Sequence, residues 1–153
     1  MKKNVKTSTI IFDIDGTLAN LEHRLHFIER EKGQRDWKSF NKECDKDLPI
    51  QNIIDDCNRF AKSYFLVLCT GREETMRKKT VKWLDENSVH YDALLMRKEQ
   101  DYRDDTIVKQ EMHDLLVSKD CVIQLVYDDR PKVIRMWEAN NLKVIHCGDG
   151  VEF

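Results

Sequence analysis

Along the chain, short apolar runs alternate with longer segments in which apolar residues recur every three or four positions. The runs cover residues 9–12, 65–69, 93–96, 122–127 and 143–147. Each is too short for an independent helix and most lack polar alternation, so they predict strands buried on both faces. Between them, Ile50, Ile53, Ile54, Cys57 and Ala61 share one helical face, as do Met76, Thr80, Trp83 and Leu84. The same spacing joins Val108, Met112, Leu115 and Leu116, and then Val133 or Ile134 with Trp137, which places Trp83 and Trp137 in the core. Strand and helix in alternation predict an α/β fold with a doubly wound, mainly parallel sheet. Ligands in such sheets bind beyond the carboxyl ends of the strands. No repeat or Pro/Gly/Ser-rich linker interrupts the pattern, and 153 residues suit one domain spanning 1–153.

Composition sharpens this picture. Charged residues make up 35% of the chain, above the usual share of about 25%, which calls for a heavily charged surface or a polar site. With 26 Lys and Arg against 28 Asp and Glu, the net charge of −2 removes the strongly basic profile of proteins that coat nucleic acid, so any such contact is local. No apolar run approaches the ~18 residues of a membrane span. The five cysteines show no C-x-x-C or paired zinc spacing, as expected of reduced thiols in a cytoplasmic protein.

The unusual polar residues fall at strand and helix edges. Asp13 and Asp15 follow the first run, Thr70-Gly71-Arg72 the second, and Asp128-Asp129-Arg130 the fourth. Gly16 lets the backbone turn sharply after two carboxylates that share a face in extended geometry. Four carboxylates brought together raise one another's pKa unless a cation joins them, and hard oxygen ligands of this kind suit Mg²⁺. Lys109 lies four residues after Asp105, so the pair meets on one helix surface. Taken alone that is an exposed ion pair. Beside an acidic site it is an ammonium aimed at a phosphate and held by Asp105.

These residues resemble the haloacid dehalogenase-type phosphatases, whose four motifs match in order as Asp13-x-Asp15-Gly16-Thr17, Thr70, Lys109 and Asp128-Asp129. A closer resemblance is to the 3′-phosphatase domain of phage-type polynucleotide kinase/phosphatases. That likeness runs through Ile11 to Ala19, Arg24, Thr70-Gly71-Arg72, Arg103-Asp104-Asp105, Val108-Lys109, Asp128-Asp129-Arg130 and Met136-Trp137. It implies a five-stranded sheet and Asp13 as nucleophile, Asp15 as general acid/base, and Thr70 and Lys109 as catalytic phosphate ligands. It implies further functional residues in Arg24, Gly71, Arg72 and Asp105 on the substrate side. Mg²⁺ would be held by Asp13, the Asp15 carbonyl, Asp128 and Asp129. The substrate implied is a nucleic-acid 3′-phosphate end. No G-x-x-x-x-G-K-[ST] loop is present, so a kinase or ligase partner would be a separate protein.

Residues 20–48 remain for a small cover after the first strand. Leu21, Leu25 and Ile28, then Trp37, Phe40 and Cys44, stand at helical spacing and predict two short helices over an open site. Between residues 72 and 82, Arg72, Arg77, Lys78, Lys79 and Lys82 outnumber Glu73 and Glu74, making a local positive face. Trp37, Phe40 and Tyr102 are candidates for stacking on bases, and His23 and His26 for surface or supporting groups. The motifs read a phosphate and a metal, not a leaving group. A nucleotidase, a small-molecule phosphatase and a noncatalytic phosphate-end binding module therefore stay open beside the polynucleotide reading.

Overall fold

The computed structural model describes residues 5–148; the remainder of the expected unit, 1–4 and 149–153, lies outside the described residues. Strands β1 (Thr7–Phe12), β4 (Phe65–Glu73), β5 (Ala93–Arg97), β6 (Cys121–Asp128) and β7 (Val144–His146) form one sheet in the order β5-β4-β1-β6-β7. Every neighbouring pair is parallel. Helices α2 (Gln51–Ala61) and α3 (Arg77–Glu86) cover one face, and α4 (Asp105–Ser118) and α5 (Pro131–Ala139) the other.

The two-residue strand period explains the layering. Ile10, Phe12, Leu66 and Leu68 point toward Ile54, Cys57, Trp83 and Leu84 of α2 and α3. Ile11, Val67, Cys69 and Val126 point toward Val108, Met112 and Leu116 of α4 and Val133 and Trp137 of α5. Leu115, expected on the α4 stripe, is instead 46% exposed, because the buried face of α4 follows residues 108, 112 and 116. Asp104 caps α4 by accepting from the Thr106 amide, and Pro131 opens α5 at a position that needs no donor.

The chain moves outward from β1 through β4 to β5, then crosses to β6 and β7 on the other side. Connections after β1 and β6 therefore diverge and leave a crevice at their carboxyl ends. A two-stranded antiparallel pair, β2 (Ala19–Asn20) with β3 (Leu48–Pro49), joins the two ends of the cover. Within it lie 3-10 turns at Glu22–Phe27, Lys32–Gln34 and Cys44–Lys46 and one six-residue helix, α1 (Trp37–Lys42). Two short helices thus stand where two were expected, the first a six-residue 3-10 helix and the second α1; Leu21, Ile28 and Phe40 make too small a core to extend either. All five cysteines are free, and no helix among the described residues is long and apolar enough to cross a membrane.

Candidate active site

β1 ends by delivering Asp13, whose amide donates to the Tyr127 carbonyl of β6 at 2.9 Å. The chain then folds back, with the amides of Thr17, Leu18 and Ala19 all reaching the Ile14 carbonyl. Gly16 makes the turn at φ +82°, and an added Cβ there would lie 2.0 Å from Asp129 Oδ2. Both the backbone conformation and the approach of Asp129 therefore require glycine.

Lys109, 1% exposed, reaches from α4 into the crevice and donates to Asp13 Oδ1 at 2.8 Å and to Asp128 Oδ2 at 2.9 Å. Asp128 is fixed further by Trp137 Nε1 at 3.0 Å and by the Asp129 amide at 2.9 Å. Oxygens of Asp13, Asp128 and Asp129 lie within 4.8 Å of one another, all three residues being buried. Burial pushes the Asp13 carboxyl well above its usual range; Lys109 opposes this, and Asp128 and Asp129 add to it. Burial likewise pushes Asp129 up to about 6, with Asp128 reinforcing it. Asp129 Oδ1 is buried and has no hydrogen-bond partner among the described residues. One ammonium facing three buried carboxylates leaves a deficit of positive charge, and the all-oxygen donor set with an orphaned oxygen fits a hard divalent cation.

On the other side of Asp13, β4 departs from regular pairing: Thr70 is opposite Met96 and Glu73 opposite Arg97, with Gly71 and Arg72 bulged between them. The bulge turns Arg72 into the site. Thr70 Oγ1 accepts the Arg72 amide at 3.1 Å, leaving its own hydroxyl hydrogen for an acceptor in the crevice. A Cβ on Gly71 would meet Asp105 Oδ1 at 2.6 Å, so glycine is needed for that approach. Asp105 does not hold Lys109. Its two oxygens are taken by Arg97 of β5 and Arg130 after β6, because Lys109 extends to the sheet while Asp105 stays at the rim.

Arg24 and Arg72, 1% and 4% exposed, both face Asp15 rather than solvent. Their Nη2 atoms each donate to Asp15 Oδ1 at 2.6 Å. Burial alone would raise the Asp15 carboxyl, but Arg72 and then Arg24 outweigh it and hold it well below the usual range. Both arginines also bind Asp47, and Arg24 stacks over the Phe40 ring at 4.2 Å. Phe40 is consequently buried and closed to bases, whereas Trp37 and Tyr102 are 43% and 86% exposed. The positive segment is largely neutralised locally: Arg77 binds Glu74 at 2.7 Å, Lys79 the Lys42 carbonyl at 2.8 Å, and Lys82 lies 3.7 Å from Glu86. His23 meets Asp47 at 2.7 Å, away from the acidic cluster. Asp47 is the functional-looking residue that no sequence motif flagged; its only signal was a charged residue close to the end of the cover.

Comparison with known proteins agrees with this geometry. The model of the polynucleotide kinase PNKP phosphatase domain matches residues 7–151. A chain of a Pnkp1/Rnl/Hen1 complex superposes with a TM-score of 0.80 at 26% identity, over 98% of this chain and 49% of that one. A chain of the Pnkp1/Rnl/Hen1 RNA repair complex gives 0.79 at 28% identity, over 96% and 44%. The present chain thus spans about half the length of these matches. A haloacid dehalogenase-like hydrolase from Streptococcus pneumoniae shares the fold, with a TM-score of 0.61 at 14% identity over 92% and 84%. From motifs, crevice and match together, the chain belongs to the haloacid dehalogenase-type phosphatases, in the family of the polynucleotide kinase PNKP phosphatase domain.

Proposed function

We propose that this chain is a Mg²⁺-dependent phosphomonoesterase that removes 3′-phosphates from nucleic-acid ends through an aspartyl-phosphate on Asp13. The observation that carries the proposal is Asp13 itself, a buried carboxylate at the end of the central strand. Its Oδ1 is held 2.8 Å from Lys109, and it stands within the cluster it forms with Asp128 and Asp129.

An Asp13 oxygen attacks phosphorus while the bond to the leaving oxygen breaks and Asp15 gives that oxygen a proton. Asp15 then takes a proton from the water that attacks the aspartyl-phosphate, releasing Asp13 and inorganic phosphate. Lys109 and the Thr70 hydroxyl donate to phosphoryl oxygens, an electrostatic task. Asp13, Asp128 and Asp129, with the Asp15 carbonyl that the family likeness adds, would hold Mg²⁺, which supplies positive charge against the phosphoryl group. In the resting site Asp15 is ionised, the form that accepts a proton. The negative charge of an incoming phosphate favours protonation of Asp15, which takes from solvent the proton it gives to the leaving oxygen while Arg24 and Arg72 stay in place. Gly71 and Asp105 line the approach.

The matched chains from an RNA repair complex support an RNA or DNA end as substrate and a kinase or ligase as working partner. The free thiols support a cytoplasmic setting. A nucleotidase or small-molecule phosphatase would use the same Asp13 chemistry. The deciding experiment measures phosphate release from a 3′-phosphorylated oligonucleotide, the same oligonucleotide with a 5′-phosphate, and a 3′-mononucleotide. The reading expects the first to be turned over best, with chelator abolishing it. Preference for the mononucleotide overturns the polynucleotide assignment, and no release from any of the three overturns the phosphatase assignment.

A further inference from the structure

Asp47 closes the cover segment, just before β3, and its side chain is fully buried. A buried carboxylate needs partners to offset its lost hydration, and here two of them are the guanidiniums that hold Asp15. Arg24 Nε donates to Asp47 Oδ1 at 2.8 Å and Arg24 Nη2 to Oδ2 at 2.7 Å, a bidentate fork. Arg72 Nη2 donates to Oδ2 at 3.2 Å, and His23 Nε2 lies 2.7 Å from Oδ1. The backbone is tied to the core as well, since Trp83 Nε1 of α3 donates to the Asp47 carbonyl at 2.8 Å.

The two guanidiniums that meet Asp47 are those that meet Asp15, and they meet it unequally. Asp15 Oδ1 receives three contacts: Arg24 Nη2 and Arg72 Nη2 at 2.6 Å and Arg72 Nε at 3.1 Å. Asp15 Oδ2 receives one, from Arg72 Nε at 3.2 Å, and the side chain keeps 20% of its exposure. Asp15 Oδ1 is therefore held by both guanidiniums and Oδ2 by one longer contact alone.

We propose that Asp47 is a positioning residue for the reaction: it fixes Arg24 and Arg72 so that they hold Asp15 Oδ1 and leave Oδ2 aimed at the leaving group. The proposal rests on the acid/base reading of Asp15 given above. The cover then has a catalytic task, because it brings both Arg24 and Asp47 to a carboxylate of the β1 turn. Without Asp47 the guanidinium planes lose their second anchor, and an error of about 1 Å in a reacting group costs on the order of 100-fold in rate.

kcat/KM reports the steps up to departure of the leaving group, and of these only proton delivery should suffer, so the test is leaving-group dependence. Asp47→Asn keeps the size of the side chain and the backbone carbonyl that Trp83 uses. With Mg²⁺ present, kcat/KM is measured for an alkyl phosphomonoester, whose alkoxide needs a proton, and for a dinitrophenyl phosphate, whose leaving group does not. Temperatures are chosen from thermal denaturation so that the wild type and variants are folded. The expected result is a loss of about 10–100-fold on the alkyl ester, within the range general acid catalysis supplies, and less than about threefold on the dinitrophenyl ester. Equal losses on both esters, or none on either, overturn the proposal. Should Asp47→Asn unfold, Asp47→Glu keeps the carboxylate but displaces it from the fork with Arg24, and it carries the same two expectations. A wild type that hydrolyses neither ester overturns the phosphatase reading instead, so the two failures are distinguishable.

Discussion

Removing one negative charge from the acidic cluster should stabilise the metal-free protein, and Asp129→Asn tests this. Burial pushes the Asp129 carboxyl from its ordinary 3.8 to about 6. The folded state thus binds this proton more tightly than the unfolded state. Between those two values stability falls as pH rises, since the native form holds protons that the unfolded form has released. At about 1.4 kcal/mol for each tenfold change in proton affinity, the cost of keeping Asp129 ionised at pH 7.5 is about 3 kcal/mol. Asn carries no such cost and can donate to Asp13. In excess chelator at pH 7.5, Asp129→Asn should therefore melt above the wild type by about 6–12 °C, taking roughly 2–4 °C per kcal/mol for a chain of this size. At pH 4 most of that difference should vanish. Mg²⁺ at a thousand times Kd should reverse the order, because the wild type gains about 4.1 kcal/mol while the variant lacks a ligand. Near-UV circular dichroism melts at the two pH values, with and without Mg²⁺, read all four quantities. A variant no more stable than the wild type at pH 7.5 in chelator would refute the claim that burial, reinforced by Asp128, disfavours an ionised Asp129 without a cation.

Three further outcomes follow from the same geometry. Gly16→Ala, which forces a Cβ to 2.0 Å from Asp129 Oδ2 at φ +82°, should cost more than about 1 kcal/mol by urea denaturation and weaken Mg²⁺ binding by calorimetry. Lys109→Met removes the cation between Asp13 and Asp128; in chelator it should lose about 3–5 kcal/mol at neutral pH and recover part of it as pH falls and the carboxylates protonate, seen in denaturation curves at pH 5 and 7.5. Asp13→Asn should lower phosphate release by about a thousandfold or more while leaving the melting temperature in chelator unchanged or higher.

The five strands were legible in the sequence as short apolar runs; burial on both faces, expected of them all, holds best in β1 and β4, while β6 exposes Val122 and Gln124 and β7 exposes His146. The observed bounds differ from the runs by a few residues, most at β4, where the bulge carries pairing on to Glu73. The carboxylates were legible because they stand directly after those runs. Less legible was everything decided by partners distant in the chain. Spacing put Asp105 and Lys109 together on one helix, yet Lys109 is drawn to Asp13, ninety-six positions away, and Asp105 to Arg97 and Arg130. Arg24 and Arg72 stood out as basic residues near a phosphate site, but their neighbours Asp15 and Asp47 take up their donors. Asp47 has no motif at all; its importance arises only when the cover folds onto the core. In the cover itself, helical spacing at Leu21, Leu25 and Ile28 gave a short helix of the 3-10 kind, a form the spacing did not specify, since so short a segment gains little from packing.

The position of β1 has a consequence for how the molecule is made. It lies between β4 and β6, and β6 begins at residue 121, more than a hundred positions after β1 begins. Asp13, Lys109, Asp128 and Asp129 become neighbours only when that late strand docks beside the first. During synthesis the emerging chain can pair β1 with β4 and seat α2 and α3, but it has no pocket for a cation and no buried lysine. The last step of assembly is also the step that crowds the carboxylates together. Divalent cations in the surrounding solution should therefore act late, slowing the reopening of the β1–β6 seam more than they speed its closing, and a chain stalled before residue 128 would be partly folded yet inert.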